Sequence, residues 1–182
     1  MYVCFNHSKL RKYIILESKE NIKAYFDKGA RSRLSWKRRN RFYHKSLEKY
    51  FAFVIPEGSR VLELGCGTGD LLAAVKPAFA TGIDFSGEMI TLAKARYPEL
   101  HFVQADIEEL QLPVTVDNQT DTYDYIILSD ILHVLWDVQQ ALHCLQPYCH
   151  SGTRIVISNY NFVWEPLLKL GELLGLKQRS PN

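Results

Sequence analysis

Short apolar runs alternate with amphipathic segments from Val61 onward. Five of these runs are rich in β-branched residues or leucine and are apolar almost throughout, which predicts strands covered on both faces. They occupy 61–65, 79–84, 101–105, 123–129 and 153–160. Helical spacing predicts helices at 69–76, 87–96, 134–146 and 163–175. This alternation predicts right-handed crossovers and an α/β fold with a doubly wound, mostly parallel sheet.

Residues 1–56 differ in character from the rest of the chain. Helical spacing over 18–28 and 32–53 predicts two helices, and Pro56-Glu57-Gly58 interrupts the pattern before the first strand. We therefore expect a helical N-terminal extension over 1–56 that caps the binding site of an α/β domain over 57–182.

The composition is that of an ordinary globular enzyme, with 47% apolar and 23% charged residues. No apolar run approaches the roughly 20 residues that span a bilayer, and the N-terminus lacks the apolar core of a secretory signal. We expect a cytoplasmic protein without a membrane span. The four cysteines are too few and too irregular for a disulfide framework. His143-Cys144 and Cys149-His150 lack the usual pair spacing of zinc sites, so we expect no metal.

Charge is distributed unevenly beneath the net charge of +2. Residues 1–60 hold 15 Lys and Arg against 5 Asp and Glu, whereas residues 61–182 hold 7 against 15. Such a split occurs in anion-binding arms, although a solvated helical face is its commoner cause. We expect the basic segment, including Arg38 and Arg39, to lie over the cleft and attract an anionic acceptor.

Three glycines at alternate positions, Gly65, Gly67 and Gly69, separate the first strand from the next helix. Glycine allows a sharp turn and a close approach of the backbone to a ligand, while the helix start supplies amide donors. A dinucleotide fingerprint would place its third glycine at position 70. That position is Asp70, whose charge would repel a pyrophosphate, and no Walker Lys-Ser/Thr pair follows. An NAD enzyme is therefore disfavoured.

The GxGxG turn after the Glu63-bearing strand resembles motif I of class I (Rossmann-like) methyltransferases. Two acidic residues stand where that resemblance requires them, Asp84 at the end of the second strand and Asp106 after the third. The first can accept hydrogen bonds from ribose hydroxyls and the second from an adenine amino group. Phe85, Met89 and Ile107 would form apolar walls for the base.

The resemblance covers about residues 20–180 and points to the small-molecule type of methyltransferase, with S-adenosylmethionine as cofactor. It implies cofactor contacts at Gly65, Gly67, Asp84, Asp106 and Ile107, while Glu63 would orient the loop or reach the methionine part indirectly. The complete set of expected cofactor-binding residues is Glu63, Gly65, Cys66, Gly67, Gly69, Asp84, Phe85, Met89, Asp106, Ile107 and Ser129.

Two further segments, YFDKGARSRLSWKRRNRFYH and ISNYNFVWEPLLKLGELLGLK, are similar to a narrower bacterial group associated with glycosyltransferases in surface-polysaccharide synthesis. This likeness implies a sugar-linked or lipid-linked acceptor.

The acceptor side is expected in the loop after the fourth strand, since ligands bind at the carboxyl edge of open α/β sheets. His133 or Asp130 could deprotonate an acceptor there. An alternative is that no strong base is needed, because alignment with an activated sulfonium supplies much of the rate. Asn159, Tyr160, Asn161 and Trp164 are further pocket candidates.

Two rival functions stay open. One is a methyltransferase-like binding protein that has lost turnover. The other is an RNA or DNA methyltransferase that uses the basic stretch 31–45 with its interleaved aromatics. No Asn-Pro-Pro-Tyr-like motif follows the fourth strand, so we do not expect nucleic acid as a partner.

Class I methyltransferases usually have seven strands in the order 3-2-1-4-5-7-6, and only five are predicted here. We therefore expect an incomplete domain without strands 6 and 7. Its fifth strand would be an exposed edge through which the chain could self-associate.

Overall fold

The computed structural model describes residues 19–112 and 122–159, together with the single residues 170 and 173. Its helices are α1 (Lys19–Arg39), α2 (Arg41–Val54), α3 (Asp70–Ala74), α4 (Gly87–Arg96) and α5 (Val138–Cys144). Its strands are β1 (Arg60–Leu64), β2 (Phe79–Asp84), β3 (His101–Gln104), β4 (Tyr123–Ser129) and β5 (Cys149–Ser158). Short 3-10 turns span Ile107–Glu109, Leu132–Val134 and Gln146–Tyr148.

The five strands form one sheet in the order β3-β2-β1-β4-β5, and every neighbouring pair is parallel. The predicted doubly wound α/β architecture is confirmed. Strand order reverses between β1 and β4, so the loops that follow these two strands diverge to opposite faces of the sheet. The crevice between such loops is where open α/β folds bind ligands.

Each face of the sheet has its own hydrophobic cluster. On one face, Val61 and Ile127 pack with Phe51 of α2, and on the other, Leu62 and Ile126 pack with Ala141 of α5. All six side chains are completely buried. Because successive residues of a strand point to opposite faces, burial on both sides explains why the strands are apolar almost throughout.

Local capping explains where two of the helices begin. The Ser86 hydroxyl accepts a hydrogen bond from the Met89 amide and starts α4, while the Asp137 carboxylate accepts one from the Gln140 amide and starts α5. The second cap shortens the helix that was predicted over 134–146. Its first residue, Val134, instead ends a 3-10 turn, and its last, Gln146, begins another.

The boundary between the N-terminal helices differs from the sequence prediction. We expected a break between 28 and 32, but α1 continues through Gly29 and Ala30, and the chain leaves the helical path at Asn40. Ala30 is fully buried, so packing against the domain outweighs the helix penalty of the glycine before it. Strand β5 also begins four residues earlier than predicted, at Cys149.

Strand β5 pairs only with β4 within the described part of the chain. Ile155 and Ile157 lie opposite Ile126 and Leu128 of β4, yet their side chains remain 42% and 46% exposed. The predicted helix over 163–175 lies outside the described residues except for Leu170 and Leu173, which are helical.

No helix among the described residues is long and apolar enough to cross a membrane. Those residues also contain no group of three or more side chains arranged to hold a metal ion. In the segment considered for zinc, the Cys144 thiol donates to the Glu108 carbonyl and the Cys149 thiol to the Leu145 carbonyl. The His150 ring instead contacts Asp124.

Candidate functional site

A cavity of about 670 Å³ opens at the carboxyl ends of the strands, between them and the two N-terminal helices. Most of the residues predicted from sequence line it. These are Glu63, Gly65, Cys66, Gly67, Asp84, Phe85, Met89, Asp106, Ile107, Ser129, Asp130 and His133. Gly69 is outside the lining, and so is Asn159, whereas Tyr160, Asn161 and Trp164 lie outside the described residues.

The three glycines of the turn after β1 all have positive φ, but their surroundings differ. A Cβ at Gly67 would meet nothing within 4 Å, so this residue presents bare backbone to open space. A Cβ at Gly69 would lie 2.7 Å from the Phe102 ring. Gly69 therefore allows the turn to pack tightly on β3, and the cavity-facing positions are Gly65 and Gly67.

Asp84 joins the glycine turn to the start of α4. One carboxylate oxygen accepts a hydrogen bond from the Gly67 amide at 2.8 Å, and the other accepts one from the Ser86 amide at 2.9 Å. Burial raises the pKa of this carboxyl, while these two donors and the charge of Arg33 oppose the rise. The carboxylate thus fixes both loops and still borders the cavity.

Glu63 is the second-last residue of β1 and is only 3% exposed. Its Oε2 atom has no hydrogen-bond partner among the described residues. Burial raises the pKa of Glu63 to about 8, against the opposing effects of the Lys37 charge and a hydrogen bond from the Leu72 backbone. A buried acceptor without a partner is costly, so this side chain is a natural site for a donor from a ligand.

Asp106 follows β3 and is held by a cation from α1. Its Oδ2 accepts a hydrogen bond from Lys19 at 2.6 Å, and its Oδ1 caps the following 3-10 turn through the Glu108 amide. Lys19 also lies 3.1 Å from the carboxylate of Glu108. Burial lowers the pKa of Lys19, but the hydrogen bonds and charges of both carboxylates outweigh it and raise that pKa overall.

Glu108 is itself buried and was not singled out from the sequence. Its Oε1 accepts hydrogen bonds from the amides of Trp136 and Asp137, at 2.5 and 3.1 Å. This carboxylate therefore fixes the loop after β4, which carries the expected acceptor-side residues.

Asp70 corrects one argument made from the sequence. Its carboxylate accepts hydrogen bonds from Lys37 at 2.6 Å and from the Thr68 hydroxyl at 2.6 Å, and it also pairs with Arg96. Burial raises the pKa of Asp70, but these partners prevail and hold it at about 2. Because two cations compensate its charge, Asp70 would not repel a pyrophosphate strongly. Its role is to join α1, the glycine turn and α4.

Asp130 adopts a left-handed backbone conformation, with φ 53°, at the end of β4. One oxygen accepts a hydrogen bond from the Tyr43 hydroxyl of α2, and the other, Oδ1, is buried without a partner among the described residues. Burial and this hydrogen bond raise the pKa of Tyr43. His133 is exposed at the cavity edge, and the Ser129 hydroxyl contacts that of Ser158 at 2.9 Å.

The N-terminal helices contribute more of the cavity wall than the sequence suggested. A stripe at helical spacing along α1 and α2 faces inward and comprises Ile22, Tyr25, Phe26, Gly29, Arg33, Trp36, Lys37, Asn40, Tyr43, His44, Leu47 and Glu48. Burial and the charges of Lys37 and Arg33 lower the pKa of His44 to about 4, so its ring is neutral at pH 7. The spacing of three or four residues was the available signal for this stripe.

The cations that line the cavity are not the ones that we expected from the sequence. Arg38 and Arg39, the residues we expected near the acceptor, are exposed and outside the cavity lining. The cations that line the cavity are Lys19, Arg33 and Lys37. Arg33 has no ion-pair partner within the part of the chain that the structure describes, so it is available to an anionic ligand group.

The cavity therefore offers distinct chemical regions. Carboxylates at the ends of β2 and β3 can accept hydrogen bonds from hydroxyl and amino groups, and apolar walls from Met89 and Ile107 lie beside them. Exposed backbone and the buried Glu63 lie at the end of β1. Asp130, Tyr43 and the neutral His44 lie on the side of β4 and α2. The volume is within the range of small-molecule sites, about 300–1,000 Å³.

Comparison with known proteins was consistent with this arrangement. The sequence profile of a methyltransferase-domain family matches residues 55–178. The chain is 31% identical over 116 residues to phosphatidylethanolamine N-methyltransferase of Cereibacter sphaeroides, covering 60% of this chain and 54% of that protein. It is 40% identical over 92 residues to malonyl-[acyl-carrier protein] O-methyltransferase of Bacillus anthracis, covering 47% and 32%. The chain thus spans about half or less of the length of these relatives.

Among solved structures, a SAM-dependent methyltransferase from Thermotoga maritima superposes with a TM-score of 0.68 and 17% sequence identity. The match covers 86% of this chain and 71% of that one. At this identity the likeness concerns the fold, which is the Rossmann-like fold of methyltransferases.

Proposed function

This chain belongs to the methyltransferase-domain family, and from that premise we propose that it binds S-adenosylmethionine in the cavity and methylates a small molecule. The observation that carries the proposal is the convergence of Asp84 and Asp106 on one cavity with the glycine turn. Neither carboxylate is diagnostic alone, since each also caps a local turn. Together they match the donors of a nucleoside, which carries hydroxyls at one end and an amino group at the other.

The residues present fit this cofactor part by part. Asp84 would accept hydrogen bonds from the ribose hydroxyls, and Asp106 one from the adenine amino group, with Met89 and Ile107 against the base. The Oε2 atom of Glu63, unpartnered within the described part of the chain, would accept a hydrogen bond from the methionine ammonium. Arg33 would face the methionine carboxylate or an anionic group of the acceptor. When bound, S-adenosylmethionine supplies an electrophilic methyl group.

On the acceptor side, we assign Asp130 the task of orienting the nucleophile and taking its proton. Its Oδ1, which has no partner among the described residues, can accept a hydrogen bond from an acceptor hydroxyl or amine, while Tyr43 fixes the other oxygen. His133 and the neutral His44 are the remaining candidate bases at the cavity wall.

For the acceptor class, we propose a sugar-linked or lipid-linked intermediate, processed in the cytoplasm alongside glycosyltransferases. The two relatives named above are described as acting on phosphatidylethanolamine and on a malonyl-acyl-carrier protein, which supports a small acceptor group on a larger carrier. We propose in addition that α1 and α2 act as the cap over the cofactor, because both contribute to the cavity wall.

Calorimetric titration with S-adenosylmethionine, S-adenosylhomocysteine and NAD tests the cofactor. We expect both sulfur nucleosides to bind and NAD not to bind, because position 70 lacks the third glycine of a dinucleotide fingerprint. Asp84→Ala should weaken binding by about 2–4 kcal/mol, because two ribose hydroxyls lose a charged acceptor. Glu99→Ala removes an exposed carboxylate and should leave the dissociation constant unchanged. Binding of NAD alone, or an unchanged constant in a folded Asp84→Ala protein, would contradict the assignment.

Turnover needs a separate assay. Release of S-adenosylhomocysteine in the presence of pooled sugars, nucleotide sugars, lipids or RNA would identify the acceptor class. Cofactor binding without release from any pool would favour the rival function, a methyltransferase-like binding protein. Release with RNA alone would favour the nucleic-acid reaction.

A further inference from the structure

The outward side of α2 exposes aromatic side chains that have no part in the cavity. Phe42 is 85% exposed, Phe53 88% and Tyr50 54%. Phe42, Lys49 and Phe53 are separated by seven and four residues, so a helical period of 3.6 places them along one side. The opposite side of the helix buries Phe51 and directs His44 and Leu47 into the cavity. We call the exposed set Phe42, Lys45, Lys49, Tyr50 and Phe53 the α2 outer face.

Cations surround these aromatics. Arg38 and Arg39 at the end of α1 and Arg41, Lys45 and Lys49 in α2 are all exposed. The single acidic residue of α2, Glu48, lies on the cavity side instead. The α2 outer face is therefore both apolar and strongly positive.

We propose that the α2 outer face docks on the surface of an anionic lipid bilayer. Phe42 and Phe53 would enter the boundary between headgroups and acyl chains, and the surrounding cations would contact lipid phosphates. This combination of apolar aromatics and Lys/Arg on one helix is what interfacial binding requires. The proposal stands on surface residues and does not depend on the proposed methyl transfer.

The shape of the face favours a bilayer over the other partners. A single nucleic-acid strand is usually held in a groove, where its bases stack on aromatic side chains. Here the two phenylalanines project outward from a helix and are about 16 Å apart along it. The core of a protein interface is depleted of charge, but Lys49 lies between the two phenylalanines along the helix. A bilayer accepts isolated apolar side chains with cations among them.

Flotation with lipid vesicles tests the proposal on the full chain. Vesicles of phosphatidylcholine alone should carry little protein, and vesicles of equal parts phosphatidylcholine and phosphatidylglycerol should carry most of it. Phe42→Ser with Phe53→Ser should lower partitioning into the anionic vesicles by about tenfold or more. Lys45→Glu with Lys49→Glu should lower it by at least about tenfold, and added salt should weaken the wild-type interaction.

Matched controls separate the face from general charge or hydrophobicity. Leu142→Ser removes an exposed apolar side chain from α5, on the other side of the sheet, and Lys94→Glu reverses a charge on α4. Both should bind vesicles like the wild type, and thermal melting should show that all variants fold. Absence of wild-type binding to anionic vesicles, or unchanged binding by the paired variants, would overturn the proposal.

The same wild-type and variant proteins distinguish two alternative partners of the α2 outer face. One is nucleic acid. It would be assigned to the face if the wild type bound a single-stranded RNA oligonucleotide tightly but did not bind vesicles, and if Phe42→Ser with Phe53→Ser abolished the RNA binding. The other is a second copy of this chain. It would be assigned to the face if the wild type self-associated but did not bind vesicles, and if the same double variant abolished the self-association. Either result would refute docking on lipid.

Discussion

Glu63 is a carboxylic acid within an otherwise apolar strand, buried at 3% exposure with one oxygen unpartnered among the described residues. Its pKa of about 8 follows from that burial. At neutral pH the folded protein therefore holds a proton on Glu63 that the unfolded chain releases. An ammonium group beside it would reverse this preference, so the side chain is suited to a cationic ligand.

The raised pKa predicts how stability depends on pH. The contribution of Glu63 is complete below its ordinary pKa of 4.5 and is lost as pH rises through about 8. Between these values the free energy of unfolding should fall by up to about 1.4 kcal/mol per pH unit. Glu63→Gln should lack this component, so the difference between wild type and variant should change with pH in urea denaturation.

Glu99→Gln, on the exposed turn after α4, is the matched control and should keep the wild-type pH dependence. Parallel curves for wild type and Glu63→Gln from pH 5 to 8 would show that Glu63 does not retain its proton on folding. The experiment is carried out without cofactor, because a bound ammonium would itself change the titration.

At the scale of elements, two glycines of the turn after β1 have different roles. Gly67 faces the cavity, whereas Gly69 packs on β3, and one alanine substitution at each position tests this difference. Gly67→Ala should cost about 1–2 kcal/mol in unfolding free energy, from the left-handed conformation alone, and should weaken cofactor binding because its Cβ enters the cavity. Gly69→Ala bears the same conformational cost plus a contact 2.7 Å from Phe102. It should be the less stable variant.

Urea denaturation and calorimetry on the two proteins measure both effects. In the folded protein, Gly69→Ala should bind cofactor nearly as well as the wild type. Equal loss of affinity in both variants would contradict the division of roles, as would greater stability of Gly69→Ala.

The same elements show how far sequence reasoning reaches. Strands buried on both faces gave a clear apolar signal, and the glycine turn with acidic residues after β2 and β3 located the cavity. The break at Asn40 was not predictable, because burial of Ala30 and not local propensity decides that α1 continues. The cavity-facing roles of Tyr43 and His44 depend on how α2 packs across the sheet. Such long-range placement leaves only weak periodicity in the sequence.

At the scale of the whole molecule, ion pairs between the N-terminal helices and the α/β domain explain part of the uneven charge distribution. Lys19 pairs with Asp106 and Lys37 with Asp70, so cations of the basic segment neutralise carboxylates of the acidic domain. Five exposed cations lie on or next to α2, and they are Arg38, Arg39, Arg41, Lys45 and Lys49. One sequence feature thus serves two purposes, attachment of the N-terminal helices and a positive outer surface.

Strand β5 leads to a prediction about association. We propose that two chains pair through this edge, which has a strand neighbour on one side only within the described residues. Sedimentation velocity should show a sedimentation coefficient that rises with protein concentration. Ile157→Lys, at a side chain 46% exposed, should shift the protein toward monomer.

Lys94→Glu is the control for a change of charge and should associate like the wild type. A wild-type protein that stays monomeric at every concentration would refute pairing through β5. Association that persists unchanged in Ile157→Lys would assign the contact to another surface.

The bridge between Lys19 and Asp106 has a further consequence. The carboxylate that we propose for the adenine amino group already accepts a hydrogen bond from Lys19, the first residue of α1, at 2.6 Å. Because a carboxylate has about four acceptor sites, we expect the ammonium and the amino group to share Asp106. Lys19 would then hold the start of α1 on the side chain that also holds the base. By reciprocity, any coupling between the seating of α1 and the affinity for the cofactor must be equal in both directions.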